Sequence, residues 1–527
     1  MQKFRNLLLA SLLAASQTHA QTVNWATDIA PILYQHCVQC HRPDGIGHFS
    51  LVGYDNAFTY RHSIQDATEN KRMPPWKADP TYRHFVGENV LTATEIQQIK
   101  TWVEQDAPPG DLAQAPAAPQ FPTGSQIGVP DEILTTPIYT MTASEDEYRC
   151  FVLPNNLSQT AFLRGMEVIP GNHLAVHHVL IYEDTTGQAR MLDAQTPEPG
   201  YANFGGTGVN GTRLVGAWVP GSRPSLFPPD MGFKLTPGAD LVVQVHFPAA
   251  AFGMTEQTTV NMFFTPTNQG IREVRSVPLI NHSPLSLQDY PLSIQPNEVK
   301  TYYAKFRVPP GSTSSVISVG PHMHLIGQKI ECFATTPAGD TLKLIRINDW
   351  DFHWQGAYTF QKLQKIPAGS IIHAYAVYDN TPNNPQNPNN PPQLVTQGEA
   401  TTDEMMLVYF TFTAYQPGDE NILLDSTLLT NSLPLVPENT AFGDLRTSPN
   451  PASDFVAIEF NLLENTNLQL SLLDASGRVL RTFAERNHVA PGICREQTNV
   501  RDLPPGTYFV RLQAGQSVKT AKFVKHD

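Results

Sequence analysis

Two segments near the start of the chain place apolar residues at helical spacing. In WATDIAPILYQHC the apolar positions are Ile29, Ile32 and Leu33, and LTATEIQQIKTWV repeats this spacing. Residues three and four apart share one face of a helix, so each segment predicts an amphipathic helix. Thr92 and Glu95 form the sequence signature of a capping box at the start of the second helix.

The pattern changes further along the chain. From about residue 131 to about Tyr415, short runs of Val, Ile, Thr, Phe and Tyr are separated by Pro, Gly and Asn turns, which predicts β-sandwich structure. Residues 107–130 are rich in Pro, Ala and Gln and predict a semi-rigid linker before this region. A new series of short runs follows Pro434 and predicts a small C-terminal β-sandwich.

Length and composition allow several folded units, because 527 residues exceed one ordinary domain and 41% hydrophobic content can fill real cores. The opening MQKFRNLLLASLLAASQTHA has a basic start, an apolar run and a small-residue cleavage site near Ala20, so it predicts a secretory signal peptide. No other stretch is long and apolar enough to span a membrane. A net charge of −13 without a basic patch argues against nucleic acid as a partner.

The motif CVQCH occupies residues 37–41 and is the attachment pattern of c-type haem. Cys37 and Cys40 would form the two thioether links, and His41 would be the proximal iron ligand. With helices on both sides, the motif predicts a small all-α cytochrome c domain that carries one covalently bound haem c.

The distal iron ligand is assigned to Met73 in KRMPPW, because Met opposite His stabilises reduced haem. His62 and His84 are the competing candidates. The haem takes two of the five cysteines and leaves Cys150, Cys332 and Cys494. Export permits a disulfide among these three, but no pairing can be deduced from the sequence.

Four short motifs contain candidate copper ligands: HHVLIY, QVHF, HMH and DEM. Imidazole binds copper in both oxidation states, whereas a thioether favours Cu(I), so this mixture of donors predicts two redox copper sites. The candidate ligands are His177, His178, His246, His322, His324 and Met405.

Strand geometry bears on how these residues could share an ion. His322 and His324 are two apart and would face the same side of a strand, with Met323 pointing away. The adjacent His177 and His178 would point to opposite faces of a regular strand, so a shared ion requires a twist or bulge there.

Around these motifs the chain resembles the copper type II, ascorbate-dependent monooxygenases, the family of peptidylglycine α-hydroxylating monooxygenase and dopamine β-monooxygenase. The likeness runs from SQIGVPDEIL to LVYFTFTAY and includes, in the family's order, GAWVPGSRPSLFPPDMGFKL, QVHF, HMHLIGQKIEC and the Asn- and Pro-rich run that ends in DEM. The resemblance implies two jelly-roll-like β-sandwiches that divide near Asn281, each of which carries mainly one copper site.

The same resemblance implies a role for each ligand set. The electron-transfer copper would be held by His177, His178 and His246. The copper that activates dioxygen would be held by the catalytic set His322, His324 and Met405. Met406 is the rival for the last ligand, because only one of two strand neighbours can face the metal, and the family's DEM pattern selects Met405.

The function implied is that of an exported copper-dependent monooxygenase, which hydroxylates a C–H bond of a small-molecule or peptide substrate with dioxygen and two electrons. The family's coppers are loaded by ascorbate, whereas this chain carries its own haem motif. We therefore expect the haem to reduce the copper of His177, His178 and His246, with electrons from a periplasmic or extracellular donor. The alternative is a non-catalytic surface electron-transfer or copper-holding protein.

Three other histidines have no role in this scheme. His173 in GNHLAVHH is predicted to be a loop histidine. His353 in DFHW and His373 in IIHAY are predicted to be structural, as partly buried histidines with a backbone partner.

The last 80 or so residues resemble the C-terminal sorting domain of type IX secretion, through SPNPASDFVAIEF, LQLSLLDASGRVLR, GTYFVRL and the basic KTAKFVK. This implies the type IX secretion machinery as a partner, export through the periplasm, and a secreted or outer-membrane surface location. The predicted domain order is a signal peptide (1–20), a cytochrome c domain (21–112), a linker (113–130), two copper monooxygenase β-sandwiches (131–280 and 281–425) and the sorting domain (443–527).

Overall fold

The chain forms two compact units, Met1–Leu428 and Leu429–Asp527. The computed structural model describes residues 22–43, 45–119, 125–424, 442–462, 465–473, 479–514 and 517–526. The predicted signal peptide, residues 1–20, lies outside the described residues. Within those ranges, no helix has the length and apolar character needed to cross a membrane.

The N-terminal region of the first unit is helical. Thr92 caps its longest helix: the Thr92 hydroxyl accepts the Glu95 N–H, and the Glu95 carboxylate accepts the Thr92 N–H, so the predicted capping box is confirmed. Ile29, Leu33 and Trp102 belong to the buried core of this region. The helices are a π-helix at Trp25–Ile29, α1 (Ala30–His36), α2 (Tyr54–Thr59), α3 (Arg61–Glu69), α4 (Ala93–Glu104) and, further along, α5 (Gln188–Asp193), with short 3-10 turns at Leu112–Gln114, Ala249–Ala251 and Asp419–Asn421.

The remainder of the first unit is mostly β-sheet, as its Val-, Ile-, Phe- and Tyr-rich runs predict. Its strands are β1 (Glu132–Thr135), β2 (Tyr139–Thr140), β3 (Glu147–Pro154), β4 (Ala161–Ile169), β5 (His178–Asp184), β6 (Tyr201–Ala202), β7 (Arg213–Trp218), β8 (Ser225–Leu226), β9 (Met231–Leu235), β10 (Asp240–Phe247), β11 (Thr255–Glu256), β12 (Thr259–Phe264), β13 (Arg272–Ile280), β14 (Ser293–Ile294), β15 (Glu298–Arg307), β16 (Ser314–His322), β17 (Gly327–Thr335), β18 (Thr341–Ile347), β19 (Tyr358–Ile366), β20 (Ile371–Asn380), β21 (Val395–Thr396) and β22 (Leu407–Ala414).

Two layered assemblies with separate hydrophobic cores make up this β region. In the first, the sheet β6-β3-β10-β5-β7 covers a core that includes Phe151, Val179 and Met262. In the second, the sheet β15-β20-β17-β18 covers a core that includes Tyr302 and Phe410. Both assemblies are sandwich-like, because apolar residues from two sheets meet between the layers.

One long sheet is common to both assemblies. Its order is β1-β12-β4-β9-β13-β22-β16-β19, with β8 paired to β4. Strand β13 pairs in parallel with β9 at Arg272–Val274 and antiparallel with β22 from Arg275 onwards. Val274 is buried in the first core, whereas Ile280 is buried in the second. The two halves are therefore joined by a strand that contributes to both.

The C-terminal unit is a small β domain. A three-stranded sheet, β23-β24-β27, and a four-stranded sheet, β26-β25-β28-β29, surround a core that includes Ile458, Leu470 and Val510. Its strands are β23 (Phe442–Ser448), β24 (Phe455–Leu462), β25 (Thr466–Leu473), β26 (Val479–Val489), β27 (Gly492–Asn499), β28 (Gly506–Ala514) and β29 (Ser517–Lys525).

Candidate metal centres

His177, His178 and His246 form a compact cluster on the first sandwich. One potential ligand atom from each residue lies within 4.8 Å of the other two. The Nδ1 atom of His177 is 3.2 Å from that of His178 and 3.3 Å from that of His246. Three nitrogens bound to one ion at about 2.0–2.1 Å would lie about 3.3–3.6 Å apart, so the spacing fits a single metal ion.

Backbone pairing brings these three residues together. His246 on β10 lies directly opposite His178 on β5. His177 precedes β5, and its N–H donates to the His246 carbonyl over 2.9 Å. Because His177 lies outside the strand, the rule of alternating faces does not apply to it. The distortion that a shared ion requires is therefore at the start of β5 and not inside a regular strand.

Neighbouring side chains orient the rings. The Nε2 atom of His246 lies 3.3 Å from a carboxylate oxygen of Asp146, so Nε2–H donates to Asp146 and Nδ1 keeps its lone pair. The ring of Tyr148 stacks on His246 at 4.2 Å with an interplanar angle of 5°. A carboxylate behind a histidine is the usual outer-shell arrangement of metal sites.

Burial keeps the rings of His177 and His178 uncharged at neutral pH. Burial lowers the pKa of His177 to about 4, with smaller contributions from His246 and His353. Burial also lowers the pKa of His178 well below its ordinary value. Neutral imidazoles have the free lone pairs that metal binding requires.

His322 and His324 form a second cluster at the end of β16. Their ring centroids lie 5.1 Å apart, and Met323 between them is buried in the second core, as the spacing predicts. His324 Nδ1 donates to the Asp403 carbonyl over 3.1 Å, and His322 Nδ1 is bonded to the side-chain oxygen of Gln355. Each ring therefore keeps its lone pair on Nε2.

The same environment lowers the pKa of both rings. Burial, with a smaller contribution from His324, lowers the pKa of His322 to about 3. Burial brings the pKa of His324 to about 4. Both rings are neutral at physiological pH, as ligands must be.

The buried carboxyl group of Glu404 links the DEM motif to this cluster by hydrogen bonds. Glu404 accepts the backbone N–H groups of His324, Ile326 and Met405 over 2.8, 2.9 and 3.1 Å. Burial outweighs these donors and raises the pKa of Glu404 to about 8. The Tyr378 hydroxyl donates to the Met405 carbonyl over 2.8 Å. This network holds the residue predicted as the third ligand beside the two histidines.

The two methionines of DEMM differ in their surroundings. Met406 is fully buried and belongs to the second hydrophobic core. Met405 is buried but is not a member of that core. The Met406 side chain is therefore used for packing, which leaves Met405 as the candidate thioether ligand.

The CVQCH motif follows α1 directly. His41 Nδ1 donates to the Phe49 carbonyl over 3.2 Å, which leaves Nε2 with the lone pair that an iron ligand needs. Gly47 approaches this ring so closely that a Cβ atom would lie 2.6 Å from Nδ1. Cys37 and Cys40 are free thiols, and burial raises the pKa of Cys37 to about 12.

The three candidates for the distal iron ligand differ in exposure. Met73 is half-buried just beyond α3, and its N–H donates to the Ala67 carbonyl. His62 is exposed on α3. His84 is exposed and bonded to Glu88 over 3.0 Å. Met73 thus remains the predicted ligand.

The other three cysteines are unpaired with one another. Cys150 is buried beside the Gly206 carbonyl, and Cys332 is buried in the second core. Cys494 belongs to the C-terminal unit, and all five thiols of the chain are free.

Several residues that shape these clusters carry no spacing signal. Asp146 contacts His246 across 100 positions of the chain, and Gln355 contacts His322 across 33. Glu404 could have been noticed, because it directly precedes Met405 in the DEM motif. Its role depends on backbone N–H groups, which do not appear in a sequence pattern.

The comparisons with known proteins bear mainly on the C-terminal unit. Residues 448–526 match the secretion system C-terminal sorting domain, which confirms the prediction for this segment. The protein is therefore exported and is either secreted or attached to the outer-membrane surface, and its sorting domain interacts with the type IX secretion machinery. No curated protein matches the chain.

Solved structures show only distant likeness. A β-glucuronidase from Faecalibacterium prausnitzii is 12% identical, with 44% of this chain and 37% of that chain covered and a TM-score of 0.13. A Ruminococcus gnavus β-glucuronidase is 9% identical, with 50% and 46% covered and a TM-score of 0.16. A Lactobacillus rhamnosus β-glucuronidase is 10% identical, with 49% and 46% covered and a TM-score of 0.15. The matched part spans less than half of each relative, and TM-scores this low transfer neither fold nor activity.

Proposed function

We propose that this chain is an exported copper-dependent monooxygenase that hydroxylates a C–H bond of an organic substrate, with electrons supplied through a c-type haem on its N-terminal region. Each turnover would consume dioxygen, two electrons and two protons, and would yield the hydroxylated product and water. The electrons come from an external one-electron donor. The observation that carries the proposal is the pair of neutral histidine clusters with different donor sets.

The difference between the clusters fits a division of labour. His177, His178 and His246 offer three imidazoles, which suit an ion that alternates between oxidation states. His322 and His324 with Met405 offer two imidazoles and a thioether, which favour Cu(I). When bound, copper would supply the one-electron transfers that activate dioxygen.

The protein's own groups would prepare this chemistry. Asp146 fixes which nitrogen His246 presents, and the Asp403 carbonyl does the same for His324. The lowered pKa values keep the rings free of protons at neutral pH. Glu404 accepts the backbone N–H groups of both His324 and Met405. These hydrogen bonds fix the two residues next to each other in the metal-free protein.

The N-terminal region has features that suit haem. Cys37 and Cys40 are free, and His41 directs Nε2 away from its backbone partner. These residues support a small cytochrome c domain, as the CVQCH motif predicts.

The test uses full-length protein loaded with haem and copper, reduced chemically, and mixed with isotopically labelled dioxygen and a panel of small-molecule and peptide substrates. We expect labelled oxygen in a hydroxylated product, and we expect His322→Ala to abolish the label. If intact protein with both coppers takes up only a stoichiometric amount of reductant and labels no product, the protein is a non-catalytic electron-transfer or copper-holding protein instead.

A further inference from the structure

The segment Asp349–Gln355, with the sequence DWDFHWQ, connects β18 to β19 and contacts both histidine clusters and the N-terminal region. We call it the junction segment. It belongs to the second sandwich, yet it reaches the histidine cluster of the first sandwich and the N-terminal region. Sequence reasoning assigned only a structural role to His353 and none to its neighbours.

Phe352 of this segment lies between the two histidine clusters. Its ring stacks on His177 with a centroid distance of 5.7 Å and an interplanar angle of 18°. The same ring meets His324 edge-on, with a centroid distance of 5.8 Å and an angle of 87°. A single aromatic ring therefore separates a candidate ligand of one copper from a candidate ligand of the other.

Two other residues of the junction segment form hydrogen bonds with the histidines of the second cluster. The buried Trp350 donates its Nε1–H to the His324 carbonyl over 3.2 Å. The Gln355 side chain accepts from His322 Nδ1. Because both histidines are fixed by the segment that carries Phe352, this ring cannot shift without disturbing them.

The other face of the segment holds the N-terminal region. Lys77 lies 3.2 Å from Asp349 and 3.5 Å from Asp351, and its side chain is only 11% exposed. Asp351 also binds His353 Nδ1 over 3.1 Å. The ring of His353 lies 6.4 Å from that of His177. The segment therefore joins the N-terminal region to the cluster of His177, His178 and His246.

We propose that the junction segment sets the separation between the two copper sites, with Phe352 as the spacer ring, and thereby positions them for electron delivery. The inference rests on the proposed copper sites but not on the substrate. Phe352 is a positioning residue, since its ring contacts ligand side chains and provides no donor atom of its own.

The test compares three substitutions in the full chain loaded with copper. Phe352→Leu removes the ring, and Phe352→Tyr retains it. Phe333→Leu is the matched control, because Phe333 is also half-buried and stacks on a histidine, His373, at 4.9 Å, far from the candidate ligands. Copper content is measured for each, together with the magnetic interaction between the two Cu(II) ions by electron paramagnetic resonance.

We expect all variants to bind as much copper as the wild type. The magnetic interaction depends steeply on distance, so it should change in Phe352→Leu, where the spacer ring is missing, and stay unchanged in Phe352→Tyr and Phe333→Leu. Product formed in one turnover of reduced enzyme should fall about 100-fold in Phe352→Leu, the scale of a 1 Å misplacement, with electrons diverted to peroxide.

An unchanged magnetic interaction in Phe352→Leu would overturn the inference. So would loss of a copper ion from that variant, because Phe352 would then hold ligand geometry and not spacing. Failure of the proposed function gives a different result. Wild-type protein would show the magnetic interaction and Phe352→Leu would change it, but labelled dioxygen would enter no product.

Discussion

The two histidine clusters present opposite ring nitrogens to the space between their side chains. In the cluster of His177, His178 and His246, Nδ1 atoms converge, and the Nε2 atom of His246 is bonded to Asp146. In the cluster of His322 and His324, Nδ1 atoms are bonded to protein oxygens and Nε2 remains available. The outer partner decides which nitrogen a histidine offers.

The carboxyl groups that hydrogen-bond to the two clusters also differ in how deeply they are buried. Asp146 is exposed, with 36% of its side chain accessible, and acts on one ring, that of His246. Glu404 is fully buried and acts on three backbone N–H groups at once. We therefore expect the fold to tolerate substitution of Asp146 beside the first cluster. The second cluster should depend on Glu404 for folding as well as for metal binding.

The largest expected effect is removal of a ligand from either cluster. His177→Ala should remove one copper ion per chain and leave the other in place, and His322→Ala should remove the other ion, because each site would keep too few donors. His373→Ala is the control, since His373 is bonded to Tyr303 and Thr335 outside both clusters. Elemental analysis of each variant tests this. Loss of both ions in His177→Ala would mean that the sites do not bind independently.

The next effect concerns stability. Glu404→Ala leaves three buried N–H groups without an acceptor, at about 1–3 kcal/mol each, so the free energy of unfolding should fall by about 3 kcal/mol or more. Asp146→Ala should change it by less than about 1 kcal/mol. Urea unfolding of metal-free protein measures both. Equal effects from the two substitutions would remove the contrast between a buried and a peripheral support.

A smaller effect is expected at the edge of the first cluster. Asp146→Asn should weaken copper binding at the three-histidine site by about 10–100-fold, because the carboxylate no longer fixes the His246 ring. The site of His322 and His324 should keep its affinity. Competition with a copper chelator measures both affinities in one titration, and a uniform decrease would contradict the assignment of Asp146 to one site.

The paired methionines give a finer test. Met405→Leu should lower Cu(I) affinity at the second site, because the thioether is lost. Met406→Leu should leave copper affinity unchanged and cost less than about 1.5 kcal/mol of stability, since it conserves core volume. Cu(I) titrations together with thermal unfolding of the two variants distinguish them. The reverse pattern would assign the ligand to Met406.

The smallest expected effect is that of pH on copper binding. Protons compete for a ligand nitrogen only when pH falls through its pKa, and burial lowers the pKa of His322 to about 3 and that of His324 to about 4. Copper affinity at the site of these two histidines should therefore stay nearly constant from neutral pH to about pH 5 and decline below about pH 4. A chelator titration across this range tests it, and a decline near pH 6.5 would show that the rings titrate as exposed histidines do.

Sequence patterns anticipate local features of this molecule better than long-range ones. The capping box at Thr92 and the inward-facing Met323 follow from spacing alone, and their structures agree with it. The sheet that runs through β13, the Glu404 network and the position of Phe352 do not follow from spacing. Each depends on contacts between residues far apart in the chain, which leave no periodic signal.

Elemental analysis of purified full-length protein, after reconstitution with copper and haem, tests the central claim most directly. Two copper ions and one iron per chain are predicted, and the iron should be retained under denaturing conditions because thioether bonds to Cys37 and Cys40 would hold the predicted haem. Iron without bound copper after reconstitution would contradict the account, and so would copper content that the ligand substitutions leave unchanged.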